Sequence, residues 1–383
     1  MSTSTPTSGR AIVTRGPYKE GKWTLEDVTI RPLQKDEVLV HIWASGICHT
    51  DIHFGDDAKD IGGYPRVMGH EGAGRILALG PGVENYAIDD PVVLSFSYCG
   101  TCPLCVAGRP SHCTHYDTLN FHGTLTFSSP TSDSSPSSPS ILGTFFGQSS
   151  FASHTIAHVS SLIPATPFLR FPTDLFQLAP FGCALQTGAG SIVNAAATTP
   201  SDTVAVLGLG AVGLAALMTA KRIGCPTIIA IDRLPTRLTL AQELGATHAF
   251  NTTELGDGLA DAVREVTQGV GPSVVLDTTG YLPLIEAGIG FTRPAGTYVQ
   301  VGTTNPKVEL KLGVFEFMAS GKRIVGAIEG ECVPAEFVPR LVGWCREGGF
   351  PIEKLITPYK VEDFGRAVED MLAGKVVKPV LMW

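Results

Sequence analysis

The feature that most constrains the fold is a glycine-rich pattern in the second half of the chain. Gly208, Gly210 and Gly213 form G-x-G-x-x-G between an apolar segment, Thr203–Leu207, and an alanine- and leucine-rich segment, Ala211–Ile223. The first glycine allows a tight turn, the second lets a phosphate approach the backbone, and the third lets a helix pack on a strand. In this context the pattern predicts a strand, a turn and a helix whose N-terminus binds the pyrophosphate of a dinucleotide.

The residues that follow extend this prediction. Asp232 ends the next apolar segment, and a carboxylate there accepts hydrogen bonds from the ribose hydroxyls and repels a 2′-phosphate. It therefore favours NAD over NADP, while the adjacent Arg233 would weaken that preference. Strand-like and helical segments continue to alternate, which predicts a parallel sheet with crossover helices. The segments concerned are residues 227–231, 236–244, 273–276, 296–301 and 323–328.

Four of the nine cysteines lie close together in the first half of the chain. They are Cys99, Cys102, Cys105 and Cys113. Four thiolates complete the tetrahedral coordination of zinc and leave no position for a substrate. The spacing therefore predicts a structural zinc site that stabilises a loop without a core of its own. A redox or iron–sulfur role is the alternative.

A second group of reactive side chains precedes this cluster. A thiol, two imidazoles, a hydroxyl and a carboxylate fall within six residues, at Cys48, His49, Thr50, Asp51 and His53. Together with the more distant His70 and Cys183, Cys48 would complete a Cys2His set, which is typical of a catalytic zinc with one open position. The sequence pattern alone does not bring these three residues together.

Composition excludes several classes of function. The chain has 383 residues and a formal charge of −8, and it has no basic run, which argues against nucleic acid and anionic membranes as partners. No apolar run is long enough to span a membrane. Residues 1–10 are rich in Ser and Thr and lack the apolar core of a signal peptide. We therefore expect a disordered tail at 1–10 and a cytoplasmic protein with reduced thiols.

Residues 11–163 contain short β-like segments separated by Gly and Pro, such as 38–42 and Pro91–Leu94. Within them, residues 128–140 hold eight Ser and three Pro, which predicts a loop that buries nothing. A lid over a pocket is the alternative interpretation of this Ser/Pro loop.

The pattern Gly69-His70-Glu71, followed by Gly74, Gly80 and Val83, is similar to the signature of zinc alcohol dehydrogenases. The four cysteines, Gly182-Cys183 and the glycine pattern follow in the same order along the chain as in these enzymes. Over essentially its whole length the chain resembles the zinc-containing medium-chain dehydrogenase/reductase family. Residues 145–152 further resemble the aryl (benzyl) and terpene alcohol dehydrogenase branch. One departure is Ala184, where the family usually has glycine.

This resemblance implies roles for individual residues. Cys48, His70 and Cys183 would bind the catalytic zinc. Asp51 would accept the second imidazole N–H of His70, and Glu71 would lie beside the metal.

The resemblance also implies how protons and the cofactor are handled. Thr50 would take the proton of the alcohol and pass it through the cofactor ribose to His53. His49 and Lys378 would contact the pyrophosphate, in addition to the glycine pattern, Asp232 and Arg233.

The implied α/β fold has two parts. A β-rich, GroES-like catalytic domain comprises residues 11–180 and 328–383. A doubly wound, parallel-sheet Rossmann domain comprises residues 181–327.

The implied activity is zinc-dependent hydride transfer between a small primary alcohol, aromatic or allylic, and NAD, which gives the aldehyde. The implied assembly is a homodimer or homotetramer. The alternatives are a biosynthetic aldehyde or enone reductase and a dehydrogenase of the formaldehyde–glutathione adduct. A non-catalytic dinucleotide-binding sensor would have lost Cys48, Thr50, His70 or Cys183, and all four are present.

Overall fold

The chain forms two compact units in a computed structural model that describes residues 7–130, 140–169, 171 and 174–383. The first unit comprises the residues up to Cys183 together with Val333–Val342 and Ile352–Trp383. The second comprises Ala184–Cys332 and Gly343–Pro351. The predicted boundaries, 180/181 and 327/328, therefore differ from the observed ones by a few residues.

The segment Gly343–Pro351 was predicted in the catalytic domain, but it belongs to the second unit. Arg222 of that unit pairs with Glu347 and places its guanidinium 5.3 Å from the centre of the Trp344 ring. These contacts between residues distant in sequence explain why the boundary was not visible in the sequence pattern.

The first unit is rich in β-structure. Its strands are β1 (Thr7–Thr14), β2 (Trp23–Ile30), β3 (Glu37–Gly46), β4 (Arg66–Val67), β5 (Gly72–Leu79), β6 (Pro91–Leu94), β7 (Thr124–Ser128), β8 (Ser140–Gly143), β9 (His154–His158), β10 (Leu162–Pro164), β17 (Ile356–Lys360) and β18 (Lys378–Met382). Its helices are α1 (His49–Asp56), α2 (Pro103–Val106), α3 (Leu175–Leu178) and α12 (Phe364–Leu372). The helix α11 (Pro334–Arg346) starts in this unit and ends in the second.

These strands form a closed barrel and a larger sheet. The barrel has the order β1-β2-β7-β8-β4, and β4 closes it by pairing with β1. The seven-stranded sheet has the order β10-β6-β5-β3-β18-β17, with β9 also paired to β3. Val38, Val40 and Ile42 lie on one face of β3 and are buried in a core of this unit.

Two sequence predictions for this unit concern the tail at 1–10 and the Ser/Pro loop. The predicted tail at 1–10 is wrong for residues 7–10, because β1 begins at Thr7 and pairs with β2 along its whole length. Composition could not reveal this pairing, which satisfies the backbone groups of a polar segment. Most of the predicted Ser/Pro loop, residues 131–139, lies outside the described residues, and its two ends belong to β7 and β8.

The second unit alternates strands and helices. Its strands are β11 (Thr203–Leu207), β12 (Thr227–Asp232), β13 (His248–Asn251), β14 (Val274–Asp277), β15 (Thr297–Gln300) and β16 (Arg323–Gly326). Its helices are α4 (Ala184–Gly190), α5 (Ala211–Ile223), α6 (Pro235–Leu244), α7 (Thr252–Leu255), α8 (Leu259–Glu265), α9 (Leu282–Phe291) and α10 (Val314–Ser320).

The sheet of the second unit confirms the predicted fold class. Its order is β13-β12-β11-β14-β15-β16, and every pair in it is parallel. The order reverses at β11, and this is the topology in which ligands bind beyond the carboxyl ends of the strands. Helices cover the sheet, and α9 contributes Ile285, Ile289 and Phe291 to a fully apolar core.

No helix among the described residues combines the length and the apolar character needed to cross a membrane.

Candidate active site

The first unit brings together the four side chains that the sequence separates most widely. One ligand atom from each of Cys48, His70, Glu71 and Cys183 lies within 4.8 Å of the others. Cys48 precedes α1, His70 and Glu71 precede β5, and Cys183 ends the helical turn 179–182. The turn approaches β6 so closely that a Cβ atom on Gly182 would clash with the carbonyl of Leu94. Glycine at this position therefore allows Cys183 to reach the cluster.

Asp51 connects two of these ligands. Its Oδ1 lies 2.8 Å from Nδ1 of His70 and accepts the backbone N–H of Gly69 at 3.0 Å. Its Oδ2 accepts the backbone N–H of Cys48 at 3.0 Å. The carboxylate is completely buried, so it holds both loops in one orientation and directs Nε2 of His70 away from itself.

The charge state of the Cys48 thiol suits metal binding. The hydrogen bond with Cys183 lowers the pKa of the Cys48 thiol well below its ordinary value, against burial, which raises it. A thiolate is the form that binds metals. Nε2 of His70 is buried and has no hydrogen-bond partner among the described residues, which is costly for a polar atom unless a ligand binds it. The donor set of two thiols and one imidazole, with this orphaned nitrogen, fits zinc.

Lys378 forms a buried ion pair beside the cluster. Its ammonium group is 4% exposed, donates to Oε1 of Glu71 at 2.9 Å and donates to the carbonyl of Ile47 at 3.1 Å. Burial raises the pKa of Glu71 to about 7, although the Lys378 charge lowers it. The predicted contact of Lys378 with the pyrophosphate stays a prediction, and in this structure the ammonium group neutralises the buried carboxylate of Glu71.

Aromatic rings surround His70 on one side. The Phe146 ring stacks on the imidazole with 4.6 Å between ring centres, and Phe145 meets it edge-on at 5.7 Å. Phe121 contacts Phe146 at 5.3 Å and stacks on Phe54 at 4.8 Å. Phe145 and Phe146 are buried, whereas Phe54 and Phe121 are half-buried. These four rings, which we call the phenyl wall, thus lie beside His70 of the cluster.

The residues of the predicted proton pathway lie on α1. His49 and Thr50 begin the helix directly after Cys48, and His53 follows one turn later. His49 and His53 are exposed, and Thr50 is half-buried. The helix thus places the exposed His53 one turn after Cys48.

The four other cysteines also converge. The sulfur atoms of Cys99 and Cys105 are 3.9 Å apart, and those of Cys102 and Cys113 are 4.0 Å apart. Sulfurs bound to one zinc at 2.3 Å are about 3.8 Å apart, whereas a disulfide requires about 2.05 Å. Backbone N–H groups donate to these sulfurs, and those of Thr114 and Cys105 lower the pKa of Cys102 to about 5. The site fits a tetrahedral zinc.

The glycine pattern of the second unit forms the predicted turn. Gly208 has φ of 86°, and a Cβ atom there would lie 2.6 Å from Oγ1 of Thr278. A Cβ on Gly213 would clash with the carbonyl oxygen of Gly208. A Cβ on Gly210 would meet no described atom within 4 Å, so this face of the turn is open to a ligand. Gly210 caps α5, whose first N–H groups point in the same direction.

Asp232 lies at the carboxyl end of β12, as predicted. Its carboxylate accepts the N–H of Leu209 at 2.7 Å and that of Leu234 at 2.9 Å, which fixes it beside the glycine turn. Arg233 is exposed, and Arg237 on α6 is buried near Asp232. The sequence analysis did not single out Arg237. Its place in the first turn of the helix that follows Asp232 could have indicated that the two side chains lie close together.

Gln148 is a second residue that the sequence analysis missed. It is fully buried, accepts the N–H of Gly72 at 2.9 Å and donates to the carbonyl of His70 at 2.9 Å. It therefore fixes the backbone on either side of Glu71. No local pattern marks such a residue, because its partners come from a distant part of the chain.

Comparisons with known proteins agree with this site. Residues 34–166 match the alcohol dehydrogenase GroES-like domain, and residues 211–346 match the zinc-binding dehydrogenase domain. A geraniol dehydrogenase from Castellaniella defragrans is 36% identical over 363 residues, which cover 95% of each chain.

Two solved structures are similar over nearly the whole chain. An alcohol dehydrogenase zinc-binding domain protein from Burkholderia ambifaria has a TM-score of 0.90 at 36% identity and covers 99% of both chains. The benzyl alcohol dehydrogenase from Acinetobacter calcoaceticus has a TM-score of 0.89 at 34% identity, and covers 98% of this chain and 99% of that chain. The predicted family is thereby confirmed. The chain belongs to the zinc-containing medium-chain alcohol dehydrogenases, a family of oxidoreductase enzymes.

Proposed function

We propose that this enzyme interconverts a primary aromatic or allylic alcohol and its aldehyde, with NAD as the hydride acceptor and two zinc ions per chain. The observation that carries the substrate class is the phenyl wall beside His70. Phe146 lies in the left-handed backbone region with φ of 51°, which costs a bulky residue about 1–3 kcal/mol. The strain at Phe146 holds its ring against His70, and we take this as support for a role of the ring in substrate binding.

Cys48, His70 and Cys183 are the proposed ligands of the catalytic zinc, and Glu71 is the carboxylate beside it. Bound there, zinc would act as a Lewis acid that acidifies the alcohol or polarises the aldehyde. Asp51 fixes the tautomer of His70 through its 2.8 Å contact with Nδ1. Cys99, Cys102, Cys105 and Cys113 are the proposed ligands of a structural zinc.

Residues on α1 would carry the proton. Thr50 is the proposed acceptor for the hydroxyl proton of the alcohol, and His53 would be the group that releases a proton to solvent. The exposure of His53 allows exchange with solvent. In the reverse direction the same groups return a proton to the developing alcohol.

The cofactor preference rests on the second unit. Gly208, Gly210 and Gly213 with the N-terminus of α5 would hold the pyrophosphate, and His49 would contact it from α1. Asp232, held by two backbone N–H groups, would bind the ribose hydroxyls and disfavour a 2′-phosphate. The exposed Arg233 would limit that preference. NAD would supply the hydride-accepting ring.

The relatives named above support the same substrate class. One is named a geraniol dehydrogenase and another a benzyl alcohol dehydrogenase, so allylic and benzylic alcohols occur as substrates in the names of similar proteins. A flat or conjugated group suits phenyl rings because offset and edge-on ring contacts add to the burial of apolar surface.

The test is the initial rate of NADH formation with a panel of alcohols. The panel comprises ethanol, 1-hexanol, geraniol, benzyl alcohol and hydroxybenzyl alcohols. We expect kcat/KM for the benzylic or allylic members to exceed that for ethanol by more than about tenfold, which is about 1.4 kcal/mol of transition-state binding. Equal values for all members would exclude the proposed substrate class. Rates with NADP in place of NAD test the cofactor.

We also propose that the protein is a homo-oligomer. Val314, Phe315 and Met318 on α10 are 85%, 71% and 66% exposed, and large exposed apolar patches mark association surfaces. Light scattering after size-exclusion chromatography measures the mass directly. A monomer of 40.4 kDa at micromolar concentration would contradict this proposal.

A further inference from the structure

Arg66 is a buried cation close to the candidate active site. It is 1% exposed, although it lies in the two-residue strand β4. Its Nη1 donates to the carbonyl of Ile61 at 2.8 Å, and its Nη2 donates to the carbonyl of Phe121 at 2.7 Å. Its guanidinium carbon lies 5.5 Å from the centre of the Phe145 ring. One side chain thus contacts three segments of the first unit.

The surroundings of Arg66 do not balance its charge. No carboxylate pairs with it within the described ranges, and its Nε has no hydrogen-bond partner there. Burial lowers the pKa of Arg66 to about 10, so the side chain remains charged at neutral pH. A buried and unpaired charge costs several kcal/mol, and an apolar side chain of similar size would avoid this cost. Stability therefore does not explain an arginine here.

Arg66 contacts two residues of the phenyl wall, Phe121 and Phe145, and this wall lies beside the proposed zinc ligand His70. Phe145 meets the imidazole of His70 edge-on, with 5.7 Å between ring centres. Phe121 stacks on Phe54 at 4.8 Å, and both rings are partly open to solvent. The carbonyl of Phe121 belongs to a wide helical turn, Thr118–His122. Buried Asn120 anchors this turn to the backbone of Ser97, and Arg66 adds a second contact at the carbonyl of Phe121.

We infer that Arg66 is a positioning residue: it holds Phe121 and Phe145 so that the phenyl wall accepts the ring or conjugated chain of the substrate. This inference deepens the proposed function and rests on it. Arg66 itself touches neither substrate nor metal. Its role depends on a planar group that donates to two carbonyls in different directions and presents one face to a ring.

Lysine is the informative substitution because it keeps the charge and loses this geometry. An ammonium group is a compact point charge with a strong hydration shell, and it lacks both the fixed fork of two nitrogens and the planar face that Arg66 presents to the Phe145 ring. In Arg66→Lys we therefore expect the Thr118–His122 turn and the Phe145 ring to lose their fixed positions. The metal ligands, which Asp51 and Gln148 hold, should stay in place.

The first experiment measures kcat and KM of Arg66→Lys with benzyl alcohol and with ethanol. We expect KM for benzyl alcohol to rise at least about tenfold, while kcat and KM for ethanol and the zinc content remain within about twofold of the wild type. The matched control is Arg75→Lys, because Arg75 also lies over an aromatic ring, Trp43, at 5.1 Å but is partly exposed on β5. The control substitution should leave kcat and KM for both substrates unchanged.

A second measurement is independent of activity. Hydrogen–deuterium exchange of the loaded enzyme should become faster in residues 118–122 and 145–147 of Arg66→Lys, and not in Arg75→Lys. Equal losses with both substrates, or unchanged exchange in these segments, would overturn the inference. If the wild type oxidised no alcohol, the proposed function would fail, whereas the exchange result would still decide whether Arg66 fixes the wall.

A second variant covers the case in which Arg66→Lys does not fold. Phe145→Leu leaves Arg66 and its two carbonyl contacts intact and keeps an apolar side chain at a fully buried position. We expect the same selective rise in KM for benzyl alcohol. An unchanged KM in this variant would overturn the inference by itself.

Discussion

The ammonium group of Lys378 lies 2.9 Å from the carboxylate of Glu71, with both side chains almost completely buried. The pair joins β18 to the residue that follows the metal ligand His70. Removal of one partner would leave an uncompensated buried charge, which is far more costly than the loss of a surface pair.

The first prediction concerns this pair. Lys378→Met should lower the free energy of unfolding by about 3–5 kcal/mol, and Lys378→Met combined with Glu71→Gln should recover part of the loss. Urea unfolding of the loaded enzyme measures both. Lys375→Met is the control, since Lys375 forms an exposed pair with Asp370 and should cost less than about 1 kcal/mol. A rise in KM for NAD without loss of stability would instead support the predicted phosphate-binding role of Lys378.

The second prediction separates the two clusters of cysteines. Cys48→Ala should lower kcat more than about 100-fold, and it should remove one zinc ion and keep the fold. Cys102→Ala should lower the melting temperature by more than about 5 °C, because metal binding there contributes folding free energy. Metal analysis and thermal unfolding provide the readouts. Cys225→Ala, at a thiol outside both clusters, should retain two zinc ions. Full activity of Cys48→Ala would exclude the assigned catalytic site.

The third prediction concerns the orientation of His70. In Asp51→Asn the side chain keeps its shape but loses the charge that accepts three hydrogen bonds. We expect zinc affinity or kcat to fall about 10–100-fold. Competition with a chelator measures the affinity. Asp56→Asn on the same helix is the control, because Asp56 accepts the N–H of Tyr18 and does not contact a ligand. Equal effects of the two variants would contradict the assigned role.

The fourth prediction tests the cofactor. Asp232→Asn keeps an acceptor for the N–H of Leu209 and removes the negative charge. The ratio of kcat/KM for NADP to that for NAD should rise by about tenfold or more, since the charge no longer repels the 2′-phosphate. Asp257→Asn, at an exposed position of the same unit, should leave the ratio unchanged. No change in the Asp232 variant would show that another group selects the cofactor.

The fifth prediction concerns pH and a pair of stacked histidines. His41 and His154 are paired across β3 and β9 with 4.8 Å between ring centres. Burial and the neighbouring His41 lower the pKa of His154 to about 4, whereas the unfolded chain has a value near 6.5. Between these values the unfolded state binds more protons, so the stability from the neutral ring is complete above about pH 6.5 and is lost toward pH 4.

The measurement is the urea midpoint at pH 7.5 and pH 5. His154→Gln should reduce the loss of stability on acidification by about 1–2 kcal/mol, a value reduced for partial exposure to solvent. His248→Gln, at a half-buried position in the other unit, serves as the control. The same pH dependence in the His154 variant and the wild type would contradict the prediction.

The second unit could be predicted closely because its signals are local. The segments predicted at 203–207 and 211–223 coincide with β11 and α5, since an apolar run, a glycine turn and a good helix former are adjacent in sequence. By contrast β13 was not predicted. Its four residues, His248–Asn251, are all half-buried and lack a clear alternation.

The residues of the candidate cluster and the contact of Asp51 with His70 could be predicted, but the rest of the supporting residues could not. Cysteine and histidine spacing marks the ligands, and the family resemblance joins the distant ones. The roles of Gln148, Arg66 and Lys378 depend on burial and on partners far away in sequence, for which no local pattern exists. Lys378 is an example: the family resemblance predicts its contact with the pyrophosphate, whereas its buried pair with Glu71 is visible only in the structure.

The place of β18 in the seven-stranded sheet determines the order in which a newly made chain can mature. Residues 44–46 of β3, just before Cys48, pair with residues 380–382 of β18. These late residues leave the ribosome only after nearly all of the second unit, which can complete its own sheet during synthesis. Until then, part of β3 remains an open strand edge that is prone to wrong pairing. We therefore expect the region around Cys48 to be assembled last, so that a translation product that stops short of β18 would carry a folded second unit beside an incomplete first unit.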